Sequence, residues 1–151
     1  MANSGCEVLL TEWRLVAPPQ NVDVTAGAIV DFWGVVRNLE DSREIAGIDY
    51  EAHPAMAEHQ LERIASAATE RFQLNKVIVH HRIGFVRTGE ASLFLQVSAP
   101  RRAAAFEASQ WIVDELKKKV PIWKRPRFKI GPAVAGIADA GARSATAVTT
   151  R

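Results

Sequence analysis

Short hydrophobic runs separated by turn-forming residues predict most of the strands of this chain. Runs rich in β-branched and aromatic residues are typical of strands, because such side chains pack well on a pleated surface. Residues 39–44 are predicted to form a charged, solvated loop, and residues 84–90 a turn. The predicted strands are residues 7–16 with a bend near Thr11, 28–36 with a bulge or close backbone approach at Gly34, 45–51, 77–82, 91–99 and a short edge strand at 125–130.

Two longer segments carry hydrophobic residues at the three- and four-residue spacing of amphipathic helices. The first is residues 55–72, with its apolar stripe at Leu61, Ile64, Ala65, Ala68 and Phe72. The second, residues 103–119, is rich in alanine, the best helix former, and Pro121 ends it. At about 100° per residue, its predicted core face consists of Phe106, Ser109, Ile112, Val113, Leu116 and Val120.

The predicted order of elements is β-β-β-α-β-β-α, which indicates the α+β class with a mainly antiparallel sheet and two principal helices. The chain has 151 residues, enough for one domain with a sizeable core. From Gly131 onward it contains few large apolar groups that could be buried. We therefore predict one domain over residues 1–130 and a flexible C-terminal tail over residues 131–151.

Composition excludes several broad classes. Hydrophobic residues make up 48% and charged residues 24% of the chain, as in an ordinary globular protein. No apolar run approaches the roughly 20 residues that span a bilayer, and no signal-peptide pattern is present. The single cysteine, Cys6, excludes a disulfide framework and a multi-cysteine metal site. We expect a cytoplasmic protein that binds no membrane.

Basic residues cluster around the end of the second predicted helix. Residues 117–119 are consecutive lysines, and cations in the last turn of a helix suit its dipole. The three lysines are not equivalent: Lys117 lies at the edge of the apolar stripe, where its amine reaches the rim of a pocket, whereas Lys118 points away as a solvated charge. Trp123 is predicted to anchor the chain after the turn and to hold Lys124 close to the helix end. Such converging cations favour an anionic ligand and lower the pKa of a lysine, which suits it to proton transfer.

The strand at residues 77–82 ends in His80, His81 and Arg82, a combination that invites a metal-binding interpretation. Neighbouring residues of a strand point to opposite faces, so the two histidines do not easily bind one ion. No carboxylate lies at a known ligand spacing from them. We therefore expect no metal and no other cofactor.

Several short motifs stand in order along the chain. They are Phe32-Trp33-Gly34-Val35-Val36-Arg37, Tyr50-Glu51-Ala52 with Met56, His81-Arg82-Ile83-Gly84, Gly89-Glu90, Ala105-Phe106-Glu107-Ala108, and Lys117 with Pro121-Ile122-Trp123-Lys124. Taken together and in this order, they resemble the catalytic (large) subunit of molybdopterin synthase. The resemblance covers roughly residues 7–126, with the spacing from the first motif to the last retained.

The resemblance implies an α/β hammerhead fold and a homodimer. It further implies that each protomer binds one small ubiquitin-like sulfur-carrier subunit, which gives a heterotetramer. The C-terminal Gly-Gly thiocarboxylate of the carrier would enter a pocket and pass its sulfur to cyclic pyranopterin monophosphate. Two such transfers would form the dithiolene of molybdopterin.

The resemblance also assigns roles to residues of this chain. Lys117 would be the catalytic lysine, acting in proton transfer or stabilising the carbonyl of the carrier's tail. Lys124 would support it and hold substrate. The proposed substrate-binding set is Val35, Val36, Arg37, Arg101, Arg102, Lys117, Lys124, Arg125 and Pro126, in which Arg101 and Arg102 would bind phosphate and residues 124–126 would close the pocket.

Two positions depart from the family's usual pattern and leave an alternative open. Arg101 stands where the family usually has histidine, and Pro126 where it usually has an acidic residue. A non-catalytic homologue that keeps the dimer and carrier-binding surface would tolerate both changes, although the presence of Lys117 and Lys124 favours an active enzyme. The net charge of +2 makes a third hypothesis, a basic nucleic-acid-binding module, weak.

Overall fold

A computed structural model of the chain describes residues 5–20 and 23–130, so the predicted tail at residues 131–151 lies outside the described residues. The described part contains eight strands and two helices. They are β1 (Cys6–Thr11), β2 (Ala28–Val35), β3 (Leu39–Glu40), β4 (Arg43–Ala52), α1 (Pro54–Phe72), β5 (Lys76–Arg82), β6 (Gly84–Arg87), β7 (Ala91–Ala99), α2 (Arg102–Lys119) and β8 (Ile122–Phe128).

The strands form two sheets, and the α+β class with mainly antiparallel pairing is confirmed. The first sheet has the order β1-β5-β7-β2, in which only β1 and β5 run parallel. In the second sheet β4 pairs with β3, β6 and β8, all antiparallel. The antiparallel pairs of the first sheet place the C-terminal ends of β2 and β5 beside the N-terminal end of β7.

The main core lies between the first sheet and the two helices. Val77 and Val79 of β5 lie on the same face of the strand, as its two-residue period requires. Leu95 of β7 pairs opposite Val79. All three are almost fully buried, together with Ile112 of α2. Burying one such aliphatic side chain contributes about 1.5–3 kcal/mol, so this layer fixes how α2 sits on the sheet. No helix among the described residues is long and apolar enough to cross a membrane.

Both predicted helices are confirmed to within one residue at each end, but the predicted core face of α2 is partly wrong. Phe106 is 61% exposed, whereas Ala105 and Ala108 are fully buried. The small alanine side chains allow the helix to approach its neighbours closely, and this rotates Phe106 outward. The remaining predicted core positions, including Ile112 and Leu116, are buried or partly buried.

The strand predictions differ from the structure where pairing partners decide the ends. β1 ends at Thr11, five residues early, because its last partner in β5 is Arg82. Residues 84–87, predicted as a turn, form β6 because β4 offers them a pairing edge. Within the predicted loop at 39–44, a tight hairpin joins β3 to β4 through Asp41 and Ser42, which both have positive φ.

The bulge predicted at Gly34 is confirmed, and β8 is longer than the predicted edge strand. The register between β2 and β7 shifts between Gly34 and Val35. A Cβ on Gly34 would lie 3.3 Å from the Cβ of Leu93, so the backbones approach closely there. β8 starts at Ile122 and pairs along most of β4. It is an edge strand, which accommodates the missing N–H of Pro126.

Candidate functional site

A cavity of about 290 Å³ opens where both sheets meet the C-terminal end of α2. Its wall combines the end of β2, the middle of β4, the end of β5, the start of β7 and the start of β8. The lining residues are Phe32, Gly34, Val35, Val36, Arg37, Glu40, Ile48, Tyr50, His81, Ser92, Leu93, Leu116, Lys117, Val120, Ile122 and Lys124.

Helical geometry separates Lys117 from the two lysines that follow it. Lys119 lies 2.8 Å and Lys118 3.8 Å from the carboxylate of Glu115, and both are well exposed. Lys117 lies instead on the side of α2 that faces the cavity. The prediction that the three consecutive lysines are not equivalent is therefore confirmed, and Lys117 is the one that reaches the cavity.

Lys124 reaches the same cavity from β8. It pairs opposite Tyr50 of β4, and Ile122 lies on the same face of β8 two residues earlier. Ile122 is buried, whereas Trp123 is 41% exposed on the other face. Ile122 and the pairing with β4, rather than the predicted anchor Trp123, therefore hold Lys124 in place.

Arg125 and Pro126 lie near the cavity but do not line it. The Arg125 guanidinium faces away and lies 3.3 Å from the carboxylate of Glu51. Pro126 is buried in β8 opposite Ile48 of β4. Both residues therefore take part in the pairing of β8 with β4. They affect the cavity only indirectly, because this pairing positions Lys124.

Val35 and Val36, which follow the bulge in β2, line the cavity together with Arg37. The Val36 N–H donates to the carbonyl of Glu90, and the Val36 carbonyl accepts from the N–H of Gly89. These bonds hold the backbone after the bulge. Three predicted substrate-binding positions thus line the same cavity as Lys117 and Lys124.

Arg101 and Arg102 lie at the other end of α2 from Lys117. Fifteen residues separate Arg102 from Lys117, which at 1.5 Å per residue is about 22 Å along the helix axis. Both arginines are exposed. The predicted pocket containing Arg102 together with Lys117 is therefore not formed within one chain.

The floor of the cavity carries neutral polar groups that the sequence analysis did not assign to the site. Burial raises the pKa of Tyr50 above its usual value, and the nearby Ser92 side chain opposes this rise only in part. The rings of Tyr50 and His81 meet edge to face, with centroids 5.4 Å apart. The alternation of side chains along β5 could have indicated the position of His81, because it places this residue on the core side with Val77 and Val79.

His80 and His81 point to opposite faces of the sheet, as predicted. His80 Nε2 lies 2.9 Å from the Glu7 carboxylate, whereas His81 lines the cavity. Among residues 5–20 and 23–130, no three His, Cys, Asp or Glu side chains are grouped as a metal site would require.

Burial of His81 predicts a loss of stability in mild acid. Burial lowers the pKa of His81 from 6.5 to about 4, and the nearby Lys117 adds to this effect. The unfolded chain binds a proton as the pH falls through 6.5, but the folded chain does not until about pH 4. The free energy of unfolding should fall across this window by up to about 3 kcal/mol.

Urea denaturation at pH 7.5, 6.0 and 5.0 would measure this effect. His81→Gln, which does not titrate there, should give a flatter profile than the wild type. Carboxylates with lowered pKa values, such as those of Glu90 and Glu115, lose their contribution mainly below pH 4.5. Parallel profiles for the wild type and the variant would contradict the prediction.

The geometry described so far defines an α+β protein with a cavity lined by three cationic side chains, one carboxylate and the polar groups of Tyr50 and His81. Residues 11–119 match the model of the family described as MoaE protein. The chain belongs to this family.

Relatives and solved structures agree with this assignment. The molybdopterin synthase catalytic subunit of Pyrococcus abyssi is 45% identical over 101 residues, which are 67% of this chain and 68% of that protein. The chain is also 38% identical to the subunit of that name from Emericella nidulans, but it spans only 55% of that longer protein.

Among solved structures, molybdopterin synthase from Staphylococcus aureus superposes with a TM-score of 0.70 at 27% identity, covering 83% of this chain and 92% of that one. A complex of subunits 1 and 2 of molybdopterin-converting factor from Helicobacter pylori shares the fold, with a TM-score of 0.60 at 20% identity. It covers 82% of this chain and 84% of that one.

Proposed function

We propose that this chain is the catalytic subunit of a molybdopterin synthase. It transfers sulfur from the C-terminal thiocarboxylate of a small carrier subunit to cyclic pyranopterin monophosphate, forming molybdopterin. The observation that carries the proposal is the convergence of Lys117, Lys124 and Arg37 on one cavity in a chain of this family.

The charge of the cavity rim suits both reactants. The substrate carries a phosphate and the donor an acyl thiolate, so each brings negative charge to the pocket. Arg37 after β2, Lys117 on α2 and Lys124 on β8 line the cavity, and such a group of cations attracts and orients anions. The rim therefore favours binding of the substrate and the carrier's tail in the same pocket.

Each cation has a proposed role that follows from its position. Lys117 is the catalytic lysine, which transfers a proton or stabilises the carbonyl of the carrier's tail. Lys124 supports Lys117 and holds substrate. Arg37, with the backbone of Val35 and Val36, lies along the pterin or its phosphate.

Arg125 and Pro126 act indirectly in this proposal. Arg125 pairs with Glu51, and Pro126 packs opposite Ile48, so both keep β8 in register with β4. That register presents Lys124 to the cavity. The proline in place of an acidic residue is then compatible with activity, because strand pairing already orients the lysine.

Arg101 and Arg102 require a second copy of the chain if they bind phosphate in this site. The length of α2 keeps them about 22 Å from Lys117 of their own chain. We propose a homodimer in which the exposed arginine pair of one protomer completes the pocket of its partner. With one carrier subunit on each protomer, the assembly is a heterotetramer.

A reconstituted assay tests the proposed function. The purified chain would be mixed with cyclic pyranopterin monophosphate and a thiocarboxylated carrier subunit, and molybdopterin would be measured. Product formation is the expected result. Co-elution with the carrier but no product would favour the non-catalytic homologue, and the absence of both would contradict the proposal.

Arg102→Ala is expected to weaken substrate binding by about 10- to 150-fold, the effect of losing a charge-assisted hydrogen bond. The Michaelis constant should rise, with little change in the maximal rate. Arg87→Ala, at an exposed arginine of β6, is the matched control and should leave both constants unchanged. An effect confined to the maximal rate would argue against phosphate binding.

Mixed dimers would show which protomer supplies Arg102. Combining Lys117→Ala chains with Arg102→Ala chains leaves one intact site in each mixed dimer if the arginine crosses to the partner. It leaves none if each site is built from one chain. At a substrate concentration well below the raised Michaelis constant of the Arg102→Ala variant, activity well above that of either variant alone is therefore expected, and no gain on mixing would rule out the shared site.

A further inference from the structure

His81 is a nearly buried imidazole in the wall of a pocket whose rim is cationic. Its side chain is 6% exposed, at the end of β5, and its ring lines the cavity beside Tyr50. The roles proposed above for the lysines and arginines do not use it. Its position in the pocket nevertheless makes it available to a bound ligand.

The hydrogen bonding of His81 determines which ring nitrogen can accept a proton. Nδ1 lies 2.7 Å from the backbone carbonyl of Arg82. A carbonyl oxygen only accepts, so Nδ1 carries the hydrogen. In the neutral ring Nε2 then has the free lone pair.

The surroundings of His81 keep the ring neutral. Burial is the main cause that lowers its pKa to about 4, and Lys117 on α2 opposes a second positive charge. Tyr50 on β4 faces the ring edge, and its raised pKa means that the phenol stays protonated. Arg37 and Lys124 are the other cations that line the same cavity, and Glu40 is the carboxylate among its described lining residues.

The Nε2 atom of a neutral His81 accepts hydrogen bonds, so it forms none with an anion that only accepts them. Phosphate and thiocarboxylate oxygens accept hydrogen bonds, and the cations of the rim supply donors to them. His81 Nε2 can only pair with a group that donates, such as an N–H or O–H. The pocket therefore combines cations that bind acceptor groups of the ligand with an imidazole that binds a donor group of the ligand.

We propose that His81 is a specificity-determining residue, which accepts a hydrogen bond through Nε2 from a ring N–H of the pterin part of the substrate. This inference rests on the proposed function, because the pterin supplies the donor. The cations hold the charged end of the substrate and His81 selects a donor-bearing heterocycle. A ligand with the same phosphate but no donor at that position would lose this bond.

Direct binding of cyclic pyranopterin monophosphate to the chain without carrier tests the proposal by titration calorimetry. His81→Leu removes the acceptor and is expected to weaken binding by roughly 5- to 150-fold, because a buried donor loses its partner. His81→Gln retains an acceptor oxygen and should recover part of the affinity. The matched control is His80→Leu, on the opposite face of β5, which should bind like the wild type.

Kinetics and spectroscopy separate this role from others. In the full assay, the His81→Leu substitution should raise the Michaelis constant for the pterin and leave the maximal rate and carrier binding nearly unchanged. Nitrogen NMR of the wild type should place the hydrogen on Nδ1, and the Nε2 signal should shift when substrate is added. This measurement needs no variant, so it stands even if His81→Leu fails to fold.

Three results would overturn the inference. They are unchanged affinity in both His81 variants, a fall in maximal rate at constant Michaelis constant, and an Nε2 signal that substrate does not move. If the wild type itself does not bind the pterin, the proposed function fails and this inference fails with it. Binding and turnover by the wild type with no effect of His81 would overturn the inference alone.

Discussion

Lys117→Ala is expected to lower sulfur transfer by about 10²- to 10⁴-fold, the usual contribution of a positioned proton-transfer group. The substitution removes the cation that α2 presents to the cavity. The fold should be unchanged, because Lys117 is exposed and lies in the last helical turn, where alanine is well tolerated. The reconstituted assay measures the rate, and circular dichroism measures the fold.

Lys118→Ala is the matched control for this variant. Lys118 is the next residue on the same helix turn, but its side chain is exposed and pairs with Glu115. A surface pair of this kind contributes little to stability. The control should therefore retain full activity, and equal loss in both variants would show that the lysines act through general charge. Unchanged turnover in Lys117→Ala would remove the proposed mechanism.

Ile112→Ala is expected to destabilise the chain by about 2–5 kcal/mol, as large-to-alanine substitutions in a core do. Ile112 is fully buried between α2 and the first sheet. The cavity left behind would also loosen the helix that carries Lys117, so activity should fall near the lowered melting temperature. Urea denaturation gives the free energy of unfolding, with the slope as a check on two-state behaviour.

Phe106→Ala is the matched control, on the same helix but with a mostly exposed side chain. Its effect on the unfolding free energy should stay within about 0.5 kcal/mol. The pair of variants thus tests which face of α2 is buried. A loss for Phe106→Ala comparable to that for Ile112→Ala would mean that another protein surface covers the phenylalanine.

Features that depend on local spacing could be predicted from the sequence. Both helices, the bulge at Gly34 and the separation of Lys117 from its neighbours follow from the period of a helix or a strand. The family resemblance rests on short motifs such as Phe32 to Arg37, and the comparisons confirm it. Each of these signals lies within a few residues of the chain.

Features that depend on a partner distant in sequence could not be predicted. Residues 84–87 became β6 because β4 has a free edge beside them. Phe106 turned outward because Ala105 and Ala108 fit the crowded space beneath α2. Hydrophobicity and spacing alone did not distinguish the phenylalanine from the other members of its stripe.

The residues of the candidate site also fall into those that the sequence indicated and those that only the tertiary structure revealed. The sequence by itself indicated that Lys117 and Lys124 would lie close together, since the end of a helix and the segment after it carry them, and the family resemblance implied that Arg37 would join them. Only the tertiary structure decided that Arg101 and Arg102 lie far from that pocket in their own chain, and that His81 and Tyr50 form its floor. The physical reason is that a pocket is shaped by the packing of several elements, whereas periodicity describes one element at a time.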